Sequence, residues 1–180
     1  MAYSKEKLNK LYKSGGYDYL CSDNFKVIYE YVRSAFFAND SRSILDIGCW
    51  DGMFYRALRE SEYKYSYLGF DLCNEAIRVA SKKYGNKKTK FLNHNWNNGP
   101  IDGDFDAIYF GGVLYYIDDK VGFVKRFIEK NNPKIVAIQD LQQTDLDCFD
   151  KEFETSTKGF YVDLNVNEAR KKRQVKIIVL

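Results

Sequence analysis

Three carboxylates and two glycines in this chain are spaced to suit a nucleoside ligand. The run Ser43-Ile-Leu-Asp-Ile-Gly-Cys-Trp-Asp-Gly52 sets Asp46, Gly48, Asp51 and Gly52 at the end of an apolar stretch, and Tyr67-Leu-Gly-Phe-Asp71 ends a second one in an acid. Ile44, Leu45 and Ile47 predict a short buried strand running into a glycine turn, with a helix beginning near Asp51. The second stretch predicts the next parallel strand, with Asp71 at its carboxyl edge. Ligands of open parallel sheets sit beyond the carboxyl ends of the strands, and an acid about 20 residues past the glycine turn is placed to bind ribose hydroxyls. Asp71 follows Gly52 by 19 residues. A cofactor containing a nucleoside is the first expectation.

Charge narrows the choice. A dinucleotide turn needs G-x-G-x-x-G so that a pyrophosphate can meet bare backbone at a helix N-terminus. Counted from Gly48, the second and third glycine positions hold Trp50 and Met53, and Asp46 and Asp51 would repel a pyrophosphate. S-adenosylmethionine carries no phosphate, and it ends in a sulfonium and an ammonium, which carboxylates attract. The acid-rich turn suits that cofactor, and a dinucleotide oxidoreductase is the least favoured reading.

The run Leu45-Asp46-Ile47-Gly48-Cys49-Trp50-Asp51-Gly52 closely resembles the first motif of class I S-adenosylmethionine-dependent methyltransferases, with Trp50 where the family has its middle glycine. Lys90-Phe-Leu-Asn-His-Asn-Trp96 is similar to the family's third strand and loop. Asn95 falls at the position that meets the adenine amino group, with Leu72 and Trp96 placed to sandwich the ring. Phe105 to Ile117 resembles the fourth strand and the loop facing the reacting methyl group, Gly111 included. Residues 134–140 and 173–180 resemble the fifth and terminal strands, so the likeness spans roughly residues 40 to 180, in order. It implies a single-domain, Rossmann-like α/β fold: a mostly parallel seven-stranded sheet with an antiparallel C-terminal strand and helices on both faces. It also implies S-adenosylmethionine as donor and S-adenosylhomocysteine as product. Asp71 and Asn95 would fix the nucleoside, Asp46 and Gly48 would receive the methionyl end, and Cys49 and Gly52 would also contact the cofactor.

Bulk properties agree with one globular domain. A chain of 180 residues can bury about 70% of the surface its unfolded form exposes. No apolar run approaches the roughly 18 residues of a membrane span, and the first residues lack the apolar core of a secretory signal. Cys21, Cys49, Cys73 and Cys148 are far apart, without a C-x-x-C pair, so neither zinc nor a disulfide framework is expected. Reduced thiols in a cytoplasm are the plain reading, and no metal site is expected.

A net charge of +3 is too small to argue for nucleic acid. Two basic clusters, Lys82 to Lys90 and Arg170 to Lys176, read as solvated helix ends and connections.

Alternating helical and strand patterns predict βαβ units. Strands are expected near 43–47, 66–70, 90–93, 105–110, 134–139, 154–162 and 173–180. Helices are expected near 4–12, 23–37, 52–61, 74–84, 118–130 and 144–151. Phe25, Ile28, Val32 and Phe36 form one helical face, and Val121, Val124, Phe127 and Ile128 another. Residues 41–180 form the expected core and 1–40 a helical cap. Only 40 residues follow Asp140, so cover for the site falls to the cap, a partner chain or the substrate. The segment Tyr12-Lys-Ser-Gly-Gly-Tyr17 resembles a family preamble that folds over the methionyl end.

For the chemistry itself, Tyr116 aligns with the family position beside the transferred methyl group, and Tyr115 precedes it. Asp140 ends a strand where it can orient a hydroxyl or amine or cap the next segment. Tyr17, Trp50, Tyr115 and Tyr116 would form an aromatic wall. His94, the only histidine, points toward the adenine end. The reading is methyl transfer to oxygen or nitrogen of a small metabolite, a sugar or surface-glycan precursor being one such class. An RNA methyltransferase and a non-catalytic cofactor-binding subunit are the rivals. Oligomeric state is open, a homodimer included.

Overall fold

A computed structural model describes residues 4–16, 23–141, 146–163 and 170–180. Helices α1 (Lys5–Lys13) and α2 (Asp23–Ala38) precede β1 (Ser43–Ile47), α3 (Met53–Arg59), β2 (Ser66–Asp71), α4 (Asn74–Tyr84) and β3 (Thr89–Asn93). Then come β4 (Ala107–Gly111), α5 (Lys120–Asn131), β5 (Ile135–Leu141), β6 (Thr155–Asp163) and β7 (Arg170–Val179). The seven strands lie in the order β3-β2-β1-β4-β5-β7-β6, with β1 to β5 parallel and β7 antiparallel to both neighbours. This is the expected fold class.

The central strands are apolar on both faces because both faces are covered. Ile44, Tyr67, Ala107, Tyr109, Ile135, Ala137 and Val175 meet α1 to α4 on one side. Leu45, Ile47, Phe70, Ile108, Phe110, Val136 and Ile138 meet α5 on the other. α2 buries Phe25, Ile28, Val32 and Phe36 completely, four side chains at helical spacing. It is therefore part of the core, to which α1 adds only Leu8. α5 begins at Asp119, whose carboxylate accepts the Gly122 N–H at 2.9 Å, and ends at Asn132 (φ 44°) before Pro133. Its buried face is Phe123, Val124 and Phe127, with Val121 and Ile128 only half-buried, a slight rotation from the expected stripe.

Several expectations change. Of the helix expected at 144–151, the described part holds one 3₁₀ turn, Asp147–Phe149. β4 starts later than expected, because Asp106 turns its carboxylate onto the N–H groups of Arg42 and Ser43 at 2.7 and 3.0 Å. The second basic cluster is not simply solvated. Lys176 is fully buried and pairs with Asp150 at 2.6 Å and Asp147 at 3.6 Å, and Arg173 is buried over the Phe25 ring. Lys82, Lys83, Lys87, Lys88 and Lys90 are exposed as expected. Tyr17 and Cys21 lie outside the described residues.

Candidate active site

The site is built on the turn between β1 and α3. Gly48 and Cys49 both donate their N–H groups to the Phe70 carbonyl, at 2.9 and 3.1 Å, so the turn is tied to β2 as it leaves β1. Gly48 has φ 82°, and a Cβ there would fall 2.4 Å from Val113 Cγ1 and 3.0 Å from the Gly111 carbonyl oxygen. Only glycine lets the β1 turn approach the β4 loop this closely. Gly52, at φ 88°, starts α3 under the rings of Tyr84 and Phe91.

Trp50 adopts φ 50° without being glycine. Its N–H donates to Asp71 Oδ2 at 3.0 Å, while Asp71 Oδ1 accepts the Cys73 N–H at 2.8 Å. Asp71 thus stands at the carboxyl end of β2, as expected, and also clamps two loops. Burial pushes its carboxyl up to about 6, against the lowering effect of the N–H groups of Cys73, Trp50 and Leu72. Asp46 is fully buried one strand away. Its Oδ2 accepts the Tyr67 hydroxyl at 2.5 Å, and its Oδ1 has no hydrogen-bond partner. Burial raises its carboxyl to about 7, the Tyr67 bond opposes this, and the Asp71 charge adds to it. Burial also raises Asp51.

Helix α1 crosses the carboxyl ends of three strands in succession. Lys5 Nζ donates to Asn93 Oδ1 at 3.1 Å at the end of β3. Asn9 Oδ1 accepts the Glu75 N–H at 3.3 Å and lies 3.2 Å from Cys73 Sγ, so a residue of α1 caps α4, which has no side-chain cap of its own. Tyr12 donates to Asp51 Oδ2 at 3.4 Å and packs edge-on against Trp50, ring centroids 5.2 Å apart. Burial and the Asp51 charge push the Tyr12 hydroxyl up to about 12.

The expected adenine end is partly occupied by the protein itself. Asn95 uses its side-chain oxygen on the Asn97 N–H at 3.0 Å, starting the 3₁₀ turn Trp96–Asn98. Trp96 is buried in the apolar cluster with Phe70, Phe110 and Phe127, whereas Leu72 is half-buried between the two clusters. His94 Nε2 sits 3.1 Å from the Gly99 carbonyl, and its ring meets Phe70 edge-on. Cys49 is buried beneath the turn, its amide and thiol both turned to protein carbonyls, and burial holds the thiol protonated.

At the opposite end, the β4 loop carries the tyrosine pair. Tyr115 is half exposed and Tyr116 half-buried, their rings perpendicular at 5.3 Å. Asp140 is buried and accepts the Tyr115 N–H at 2.9 Å, which makes it an anchor of this loop. Gly111 and Gly112 precede the pair, and Gly112 donates its N–H to the Gln139 carbonyl at 2.8 Å.

Sequence reasoning missed Tyr67, Tyr109, Gln139 and Asn9, whereas Tyr12 belongs to the segment expected over the methionyl end. A tyrosine inside an apolar strand was the available signal for the first two, since a buried hydroxyl seeks a partner.

The turn can be tested against S-adenosylmethionine. Among residues 46–53 there are two acids, Asp46 and Asp51, and no cation, and the unpartnered Asp46 Oδ1 suits an ammonium or sulfonium and repels a phosphate. The chemistry of the donor set fits.

By sequence, residues 18–171 match the family model described as a methyltransferase domain. The chain belongs to that family. A search of curated proteins finds no match. Among solved structures, the methyltransferase resembles magnesium protoporphyrin IX methyltransferase from Synechocystis PCC 6803 with bound S-adenosylmethionine, at TM-score 0.70 and 12% identity, over 100% of this chain and 99% of that one. The plantazolicin methyltransferase BpumL, in complex with a monoazolic desmethylPZN analog and S-adenosylhomocysteine, gives 0.68 and 14%, over 97% and 90%. A putative RNA methyltransferase from Pyrococcus horikoshii gives 0.64 and 11%, over 86% and 82%. At such identities the likeness is one of fold. Family and fold together make this an S-adenosylmethionine-dependent methyltransferase of class I.

Proposed function

We propose that this methyltransferase methylates an oxygen or nitrogen of a small metabolite, with sugars and surface-glycan precursors inside that class. The observation that carries the reading is the gathering of Asp46, Asp51 and Asp71 about one turn, with Asp46 Oδ1 buried and unpartnered. The donor, when bound, supplies an electrophilic methyl carbon on a cationic sulfur. Asp71 would take the ribose hydroxyls while keeping the Trp50 and Cys73 N–H groups. Asp46 would face the cationic end, and Tyr67 would hold its other oxygen in place. Tyr115 and Tyr116 would lie along the acceptor, shield it from water and hold it in line, an alignment that can supply several kcal/mol of the barrier reduction.

Two neighbours whose names give porphyrin and plantazolicin acceptors support a small acceptor over a polymer. The exposed lysines support RNA poorly: Lys87 and Lys88 precede β3, at the amino end of the sheet, opposite the turn. Calorimetry with S-adenosylhomocysteine should show micromolar binding, whereas NADH should give none. A preference for NADH would overturn the reading.

A further inference from the structure

Buried polar atoms without a partner are few in folded proteins, and each calls for an explanation. Two such atoms lie on one face of this sheet toward its carboxyl edge: Asp46 Oδ1 on β1 and Gln139 Nε2 on β5. Asp46 belongs to the donor site already described. Gln139 does not. Its side chain is 4% exposed, and it stands on β5 directly opposite Gly111 of β4.

The other polar atoms of Gln139 are engaged. Its main-chain carbonyl accepts the Gly112 N–H at 2.8 Å and so holds the first turn of the β4 loop. Its Oε1 accepts the Tyr109 hydroxyl at 3.4 Å, and this bond sets the orientation of the carboxamide. With the oxygen facing Tyr109, the amino group is left over. On the two strands that flank β5, Gly111 of β4 and Val175 of β7 stand opposite Gln139, so neither offers the amino group an acceptor side chain at that level. Gln139 therefore stands beside the start of the loop that carries Tyr115 and Tyr116, one strand beyond β4 from the turn that receives the donor.

We propose that the Gln139 carboxamide N–H recognises the methyl acceptor, taking a carbonyl or carboxylate oxygen beside the methylated atom. This rests on the proposed function above and narrows its substrate class to acceptors that carry such an oxygen. A site built around a buried donor rejects analogues that lack the matching oxygen, because they leave the donor unpaired. Tyr109 acts through Gln139 and is a positioning residue.

The test uses the full-length, ¹⁵N-labelled protein with excess S-adenosylhomocysteine. Gln139→Leu identifies the Gln139 side-chain NH₂ resonances by their disappearance, and Gln139→Glu serves the same purpose if the leucine variant fails to fold. Benzoate, an aromatic ring bearing only acceptor oxygens, is then titrated against benzylamine, the same ring bearing a cationic donor. The expected result is a saturable shift of the Gln139 NH₂ pair with benzoate and none with benzylamine. An unmoved pair, or equal shifts with both probes, would overturn the proposal and assign the amino group to a buried water. Calorimetry on the same sample separates the two levels. Absent S-adenosylhomocysteine binding removes the methyltransferase reading and this proposal with it, whereas intact binding with an unmoved pair removes only the role of Gln139.

Discussion

Asp71 and Trp50 hold one another in position: the carboxylate accepts the Trp50 N–H at 3.0 Å while Trp50 occupies left-handed backbone space at φ 50°. That conformation costs a non-glycine residue about 1–2 kcal/mol. A hydrogen bond to a charged group contributes about 1.5–3 kcal/mol, enough to offset it. A tryptophan is thus tolerated where the family pattern has glycine, and the indole becomes the platform on which Tyr12 rests.

Asp71→Ala should therefore injure both binding and folding. Losing two charge-assisted bonds to ribose should weaken S-adenosylhomocysteine at least on the order of 10²-fold. The Trp50 and Cys73 N–H groups, left without their acceptor, should lower stability as well. Calorimetry and urea denaturation on one preparation would show the two losses together. Unchanged affinity would remove Asp71 from the site.

The pH response of the free protein should be set partly by Asp46, raised to about 7, and Asp71, raised to about 6. Between the ordinary carboxylate value near 3.8 and those values, the folded state holds protons that the unfolded state has released. Stability from these groups therefore falls as pH rises from about 4 to 7. Affinity for a cationic donor should rise over the upper part of the same range, as the carboxylates ionise. Asp46→Asn should be more stable than the wild type at pH 8, with the gap closing toward pH 4, and should bind the donor more weakly. A gap that is constant with pH would contradict the assignment.

Tyr116→Phe keeps the ring and removes one hydroxyl. If that hydroxyl orients the acceptor or relays its proton, kcat should fall on the order of 10²-fold with donor affinity nearly unchanged. His94→Ala should do the reverse, since His94 Nε2 is occupied by the Gly99 carbonyl near the adenine end. Steady-state kinetics of both variants decide between them. Loss of turnover in His94→Ala alone would move the chemistry to the histidine.

Truncation should distinguish the two N-terminal helices. A chain beginning at Asp23 loses α1, with its one buried residue Leu8, and should fold while binding the donor poorly. A chain beginning at Asn39 also loses Phe25, Ile28, Val32 and Phe36, each worth about 1.5–3 kcal/mol of burial, and should not fold. Circular dichroism melts of the two chains make the comparison. A cooperative melt of the shorter chain would return α2 to a detachable cap.

The strands and the acidic turn were legible because apolar runs and glycine spacing are local signals. The long-range partners were not, since the bond of Tyr67 to Asp46 and that of Asn9 to the α4 N-terminus join residues far apart in sequence. The end of β5 shows the difficulty most clearly. The sequence drew attention to Asp140, yet a strand turns successive side chains to opposite faces. Asp140 supports the β4 loop from one face, while Gln139 shares the other with Asp46. One residue of register separates an anchor from a candidate ligand group.

Lys176 buries its ammonium beneath two acids that stay in contact with water, Asp150 and Asp147. Hydrogen bonds from the Lys176 ammonium and the Thr155 hydroxyl, with the lysine charge behind them, hold the Asp150 carboxyl below its usual range, so the pair stabilises the fold at neutral pH and is lost as acid protonates Asp150. What then remains is a buried cation without its counter-ion, set between β5 and the sheet edge. The molecule should consequently have an acid-labile seam. A brief acid pulse should unzip the β6–β7 hairpin first, seen as early amide exchange in residues 170–179, while the five parallel strands that carry the turn stay closed.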